Sequence, residues 1–568
     1  MSWRYRTGWI VALACGLLLL AWWTATHHRF VRNTKAQAEA RDPNPLRLHQ
    51  GYDASGQPTR VFVGVAISGG GSRAANFAGA VLAELDRLGV LGSVNALSSV
   101  SGGSLTASHF ALHGFDGSGS VREGERLEPF WQATKDRLST DFLSAWTMRI
   151  VRPDWLWLST FGNATRTDAM AEVFDETFLG RQSLGDLARD APKLLVNATA
   201  INDIETVGPQ DDCMNRGTDA PAVRWESLSL DAGFLINCLG SQPESLRLST
   251  AVAASATFPG VFNTVSLQRF PRAPNDPPAH LHLIDGGPSD NLGIEGLLRV
   301  LRDVRASACL LIVIDAFAAG DHDLRMMFDD VRGAKDRVID FNFLDSIDAM
   351  LARRRYDTLQ RLGLTPARIE ERFGGMLELP DFPIPGQKFR IVQPRTTFLE
   401  AVPVGRMMGK ESEPDELACA VWLVSLHNLK SLLLGRFVKE GRVEVAISRA
   451  SVAEHQISKW NWSRRPEVQH RIRVSQVAER LATSFRLSGP EGCSAKQLSD
   501  IVWEAGRLSV EDDFEARERV CAWLDSHGLP VGDRCRQPPP VQPRDVPRID
   551  FLAVPGFSDV FRVYCGGG

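Results

Sequence analysis

Apolar residues in this chain cluster into short unbroken runs, each ended by glycine or a polar turn. Arg60–Ser68 (RVFVGVAIS) is apolar and β-branched and stops at Gly69-Gly70-Gly71. A run of this kind predicts a strand buried on both faces. Arg73–Leu88 then takes helical spacing, with Phe77, Val81, Leu82, Leu85 and Leu88 on one face. Val94–Val100 repeats the strand pattern and Gly102–His113 the helical one. This β-α-β-α order predicts an α/β fold: a three-layer α/β/α sandwich with a mostly parallel central sheet. Further strands are expected at Lys193–Thr199, Leu281–Ile284, Leu310–Ile314 and Lys388–Val392, and long helices over residues 342–365 and 414–434. Pro271–Pro278 reads as a loop.

The punctuation suggests five units. An apolar N-terminal segment (1–28) precedes a polar linker (29–58) and the α/β domain (59–320). An extension packed on that core (321–486) leads to a cysteine-containing appendage (487–568), with short helices near 496–506 and 513–525, so the C-terminal part is mainly helical.

Residues 7–26 contain no charge. A helix of that length spans about 30 Å, the thickness of a bilayer core. Trp3 and Trp9 lie near one end and Trp22 and Trp23 near the other, as an interfacial belt would place them. The expectation is an N-terminal transmembrane helix, a single-pass membrane anchor. A cleaved signal peptide and a lipoprotein modified at Cys15 are the rivals. Arg29, Arg32, Lys35 and Arg41 after the run, against Arg4 and Arg6 before it, favour a cytoplasmic domain. The cysteines favour an extracytoplasmic one. Cys309 and Cys419 read as free core thiols, whereas Cys213, Cys238, Cys493, Cys521, Cys535 and Cys565 can close three disulfides. The balance leans to the extracytoplasmic side.

Composition narrows the partners. Of 568 residues, 44% are apolar and 23% charged, which supplies a large core and excludes wholesale disorder. A formal charge of −4 offers no basic field for nucleic acid. Mean hydropathy of −0.13 excludes a polytopic membrane protein.

Three strand ends carry the chemistry. Gly69-Gly70-Gly71-Ser72-Arg73 lets the backbone aim several N–H groups at one point, backed by a helix N-terminus. Such a nest can hold a phosphate or a tetrahedral oxyanion. Gly69, Gly71 and Ala74 also mimic a dinucleotide fingerprint, but Ser98-Ser99-Val100-Ser101 stands where the ribose-binding carboxylate is needed. Gly405–Glu411 fails as a phosphate-binding loop because its spacer is short and Glu411 replaces Ser or Thr. The second strand end, Ser99-Val100-Ser101-Gly102-Gly103, has the small residues two before and two after Ser101 that a nucleophile elbow requires. By itself, Ser101 reads equally well as a helix cap. The third is Leu283-Ile284-Asp285-Gly286-Gly287, a carboxylate expected at the same sheet edge because ligands gather at the carboxyl ends of strands. Asp290 and Asn291 read as turn or capping residues. No metal or organic cofactor is called for.

Together these motifs resemble the patatin-like phospholipases, a family of lipid acyl hydrolases. The likeness lies in the order strand–GGGSR–helix, strand–SVSGG–helix and DGG, with Leu248–Phe262 matching the family's Ala-Ser-x-x-Phe-Pro segment, and it covers about residues 60–320. The resemblance implies a Ser–Asp dyad, with Ser101 as nucleophile, Asp285 as general base and the Gly69–Gly71 backbone as oxyanion hole. Arg73, Ser99, Gly103, Gly286 and Gly287 would support it. Ser99 departs from the glycine usual at that place in the elbow. The implied function is a serine acyl hydrolase, a phospholipase or lipid esterase, acting on membrane lipid. The alternative is a non-catalytic, membrane-anchored lipid-binding or scaffold protein on the same fold. His280 and His282 raise a Ser–His–Asp arrangement, but alternation along a strand turns His282 away from Asp285. Residues 144–161, with Trp146, Trp155 and Trp157, suit either a flap at a lipid surface or an ordinary cover for the sheet. Arg73 suits a phosphate head group or a local carboxylate.

Overall fold

The computed structural model describes residues 32–37, 40–52, 56–114, 128–202, 226–270, 279–317, 342–364, 376–378, 388–390, 397–411, 416–427 and 493–536, with scattered positions within 12–20 and 429–487. The strands are β1 (His49–Tyr52), β2 (Pro58–Ile67), β3 (Ala96–Val100), β4 (Lys193–Ala200), β5 (Glu226–Leu230) and β6 (Val265–Arg269). They continue with β7 (Ala279–Asp285), β8 (Ala308–Asp315), β9 (Met376–Glu378), β10 (Lys388–Arg390), β11 (Phe398–Pro403) and β12 (Ala418–Ser425). Ten of them form one sheet, ordered β11-β12-β8-β2-β3-β4-β7-β6, with β1 beside β2 and β5 beside β4.

The pairings β12–β8, β8–β2, β2–β3 and β3–β4 are parallel. Those of β11, β7, β6, β1 and β5 are antiparallel. The sheet is therefore mixed, which corrects the expectation of a mostly parallel one. The apolar central strands were readable as buried, but an apolar run carries no direction. The flanks do carry a signal. Ala279–Asp285 alternates His and Leu, and only its leucines and last residues are buried, as in an antiparallel strand with one open face.

Helices cover both faces of β2. Val61, Val63, Val65 and Ile67 enter one core with α1 (Gly71–Arg87), α2 (Gly102–His113) and α8 (Ala495–Glu511). Phe62 and Ala66 enter the other with Leu297 and Leu301 of α6 (Ile294–Asp303) and Leu359 of α7 (Asn342–Arg361). The C-terminal helix α8 lies directly on α1. Ser499 donates to Asn76 at 2.6 Å, and Gly506 lets the backbones meet where a Cβ would lie 2.6 Å from Ala80.

Several expectations are corrected here. The long helix at 414–434 is in part strand β12, buried between β8 and β11. Its run ACAVWLVS is apolar up to the final Ser425, and periodicity cannot separate a buried strand from a buried helix. With β12 in place, Cys419 falls opposite Cys309, and the two expected free thiols form a disulfide. Cys521 bonds Cys535, and Cys238 and Cys493 are also disulfide-bonded. Cys213 and Cys565 lie outside the described residues. The strand expected at 388–392 pairs with β9 in a separate two-stranded sheet, and β1 lies within the expected linker.

Among the described residues, no helix is long and apolar enough to cross a membrane. The single-pass anchor over residues 7–26, and the membrane localisation and side built on it, are not upheld. Described positions between 12 and 20 are helical. An uncharged composition meets one requirement of a span, and helical length is the other.

Candidate active site

The strand β3 ends in a turn that the sequence makes unusually tight. Ser101 sits at φ 49°, ψ −125°, and only it and Arg181 have positive φ among the described non-glycine residues. This conformation costs about 1–3 kcal/mol and persists only where the surroundings enforce it. The enforcement is visible in the glycines that follow. A Cβ on Gly102 would lie 1.9 Å from the Gly71 carbonyl oxygen, and one on Gly103 would lie 2.6 Å from the Ser68 carbonyl oxygen. Helix α2 is thus pressed against the glycine loop after β2, and Ser101 is held at its N-terminus. Ser99 is accommodated without a glycine: it is buried, and its hydroxyl donates to the Leu195 carbonyl at 3.3 Å on the neighbouring strand.

Asp285 reaches this point from the opposite direction. Strand β7 runs antiparallel to β4, with Asp285 facing Ala198, while Val100 faces Asn197 on the other side of β4. The carboxyl end of β7 therefore stops beside the carboxyl end of β3. The expected meeting occurs, though not because the strands share a direction. The Ser101 hydroxyl donates to the Asp285 carboxylate, and the Gly287 N–H donates to its Oδ1 at 2.8 Å. Burial pushes the Asp285 carboxyl up to about 6, against these two hydrogen bonds, which pull it down. A carboxylate at that value is ionised at neutral pH yet a better proton acceptor than a free aspartate.

The glycine loop divides its donors. Gly69 N–H donates to the Asn291 carbonyl at 3.0 Å, and Ser72 N–H to the Ser484 carbonyl at 2.8 Å. Among the described residues, the N–H groups of Gly70 and Gly71 have no acceptor. Gly70 (φ 135°) and Gly71 (φ 55°) hold conformations that favour glycine. The Gly69 Cα lies close to the serine: a Cβ there would be 3.3 Å from that of Ser101.

The remaining expected residues take structural places. Arg73 is buried, and its Nη1 donates to the Leu481 carbonyl at 2.5 Å. Gly286 donates to the Ser255 carbonyl at 3.1 Å. Asp290 accepts from the N–H groups of Gly293 and Glu295 at 3.0 and 2.7 Å and so caps α6. His282 lies away from Asp285 and pairs with Ser266 at 2.7 Å. In the 144–161 segment, Trp146 and Trp155 are buried in two helices, α3 (Phe142–Ile150) and α4 (Pro153–Phe161). Met148, Val151 and Leu156 around the intervening turn are 69%, 57% and 50% exposed. Among the described residues, no group of three or more His, Cys, Asp and Glu side chains could hold a metal ion.

Two contributors escaped the reading of motifs. Ser255 and Thr257 stand in the Ala-Ser-x-x-Phe-Pro segment, at the end of helix α5 (Leu248–Ser255). The Thr257 carbonyl accepts from Asp285 N–H at 3.1 Å, and the Ser255 hydroxyl accepts from Ser101 N–H at 2.8 Å. The segment was noticed for its likeness to a family, but nothing in its residue types announced that it touches both partners. The other contributor is the extension, through Ser484, Leu481 and α7, whose Leu351 packs on Gly287 and whose Arg354 donates to the Ser289 carbonyl at 2.8 Å.

Part of the chain matches a known family. Residues 65–298 match the family model described as patatin-like phospholipase, which bears out the resemblance read from the motifs. No curated protein matches this chain. Among solved structures, human GIVD cytosolic phospholipase A2 is similar at 13% identity and TM-score 0.39, over 82% of this chain and 60% of that one. VipD from Legionella pneumophila is similar at 12% identity and TM-score 0.21, over 87% of this chain and 82% of that one. The chain thus spans 60% of the length of the human enzyme.

Proposed function

We propose that this protein is a serine hydrolase of fatty-acyl esters in lipids, working through Ser101 and Asp285. The family match over residues 65–298 supports lipid acyl hydrolysis. The finer reading is carried by one observation: a serine in a positive-φ turn at a helix N-terminus donates its hydroxyl hydrogen bond to a buried carboxylate. In this reading Asp285 takes the proton as Ser101 Oγ attacks the ester carbonyl. The carbonyl oxygen becomes an oxyanion, which the N–H groups of Gly70 and Gly71 stabilise. The alcohol leaves with the proton from Asp285. Water then attacks the acyl-serine and gives its proton to Asp285; the bond between the acyl carbon and Ser101 Oγ breaks, the proton passes from Asp285 back to Oγ, and the fatty acid is released.

The test is fatty-acid release from phospholipid vesicles and from a soluble p-nitrophenyl ester, comparing wild type with Ser101→Ala. Release by wild type and its loss in Ser101→Ala supports the proposal. Equal release by both, or none by either, overturns it.

A further inference from the structure

We infer that Ser255 is a positioning residue that fixes Ser101 relative to Asp285, by tying the nucleophile turn and the base turn to one point on β4. The inference rests on the acyl-hydrolase reading of the site.

The Ser255 hydroxyl accepts from Ser101 N–H at 2.8 Å and donates to the Asn197 carbonyl at 2.5 Å, with Ser104 Oγ at 3.3 Å. Its own carbonyl accepts from Gly286 N–H at 3.1 Å, one residue after the base. Ser255 is fully buried. One residue therefore holds the backbone of Ser101 by its side chain and the backbone beside Asp285 by its main chain. Asn197 completes the anchor, since its side chain donates to Ser98 Oγ at 2.8 Å and to the Ser99 carbonyl at 3.1 Å.

Two consequences follow. The strained turn at Ser101 needs an acceptor for its N–H, because a buried unpaired N–H would add its own desolvation cost. With that N–H committed, it takes no part in holding the oxyanion, and the task falls on the glycine loop. A serine fits the place because it accepts and donates through one atom. Alanine supplies neither function, and threonine supplies both.

The experiment compares Ser255→Ala and Ser255→Thr with wild type on a soluble p-nitrophenyl fatty-acyl ester, and by hydrogen–deuterium exchange of peptides covering residues 98–104. In Ser255→Ala, kcat falls by about 10²-fold, the scale of a small misplacement of a reacting group. KM stays within about twofold, because uniform substrate binding is untouched. The acid limb of the pH–rate profile moves to higher pH, because the Ser101 hydrogen bond that lowers the Asp285 carboxyl is weakened. The Ser101 amide loses protection in Ser255→Ala and keeps it in Ser255→Thr, which also retains most of kcat. An unchanged kcat and unchanged exchange in Ser255→Ala overturns the inference. So does a loss of kcat that matches only the loss of folded protein, with the acid limb unmoved. If wild type hydrolyses no ester, the acyl-hydrolase reading fails, while the exchange result still decides whether Ser255 holds Ser101.

Discussion

The block from β2 to β8 and the extension after it contribute to the same site in different ways. The block supplies side chains and backbone donors at strand ends: Ser101, Asp285 and the glycine loop. The extension supplies backbone acceptors and packing. The Ser484 carbonyl covers the second N–H of α1, the Leu481 carbonyl holds Arg73, and α7 lies on the turn after Asp285. Reaction chemistry requires a particular residue type at a particular place. A carbonyl oxygen is available from any residue, so scaffolding of this kind leaves no mark in the sequence.

This contrast can be broken most severely at the block's carboxylate. Asp285→Asn is expected to lower kcat/KM at least about 10³-fold, since the proposed base and its charge are removed together. The same variant gains stability. Asp285 is pushed up to about 6 by burial, so the wild-type fold loses stability as pH rises from the unfolded value through that point. Thermal melts of the two proteins should coincide near pH 4 and separate above pH 6, with the variant higher by a few degrees.

Gly71→Ala strikes both regions at once. Its φ is +55°, and a Cβ would lie 2.3 Å from the Ser484 carbonyl oxygen. We expect an activity loss of about 10²-fold and a stability loss of about 1–3 kcal/mol. Gly92→Ala, with open space around it, is the control and should change neither. Urea unfolding and initial rates check both values.

A gentler probe is pH. Wild-type kcat/KM should rise tenfold per unit below about 6 and level off above it, since in the proposed step only ionised Asp285 accepts the proton. An acid limb below pH 5 would show that burial does not tune this carboxylate.

The smallest effect belongs to the extension. Arg354→Ala removes the hydrogen bond to the Ser289 carbonyl. It should cost about 1 kcal/mol in urea unfolding and only a few-fold in kcat. A loss matching that of Asp285→Asn would place the extension within the chemistry and erase the contrast.

The sequence showed each part according to how local its signal is. The first strands and helices were legible because burial on both faces produces unbroken apolar runs beside 3.6-residue spacing. Ser101, Asp285 and the glycine loop stood out because each occupies a strand end followed by glycines. Among the strands carrying the site, only the His–Leu alternation of β7 hinted at direction, so Asp285 was expected at the right edge for a reason that β7 does not obey. The ACAVWLVS run of β12 satisfied strand and helix alike, and its misreading also hid the Cys309–Cys419 bond. Residues 7–26 looked like a span on their uncharged composition alone, and among the described residues no helix is long and apolar enough to cross a membrane. Ser255 was missed because an alanine-rich helix end gives no hint of what its hydroxyl meets across the sheet.

The central claim is that Ser101 is a nucleophile activated by Asp285. Labelling with a fluorophosphonate, followed by peptide mass analysis, tests it most directly. One adduct at Ser101 is predicted, absent in Ser101→Ala and formed at least about 10²-fold more slowly in Asp285→Asn. An adduct at another residue, or wild-type labelling rates in Asp285→Asn, would contradict it.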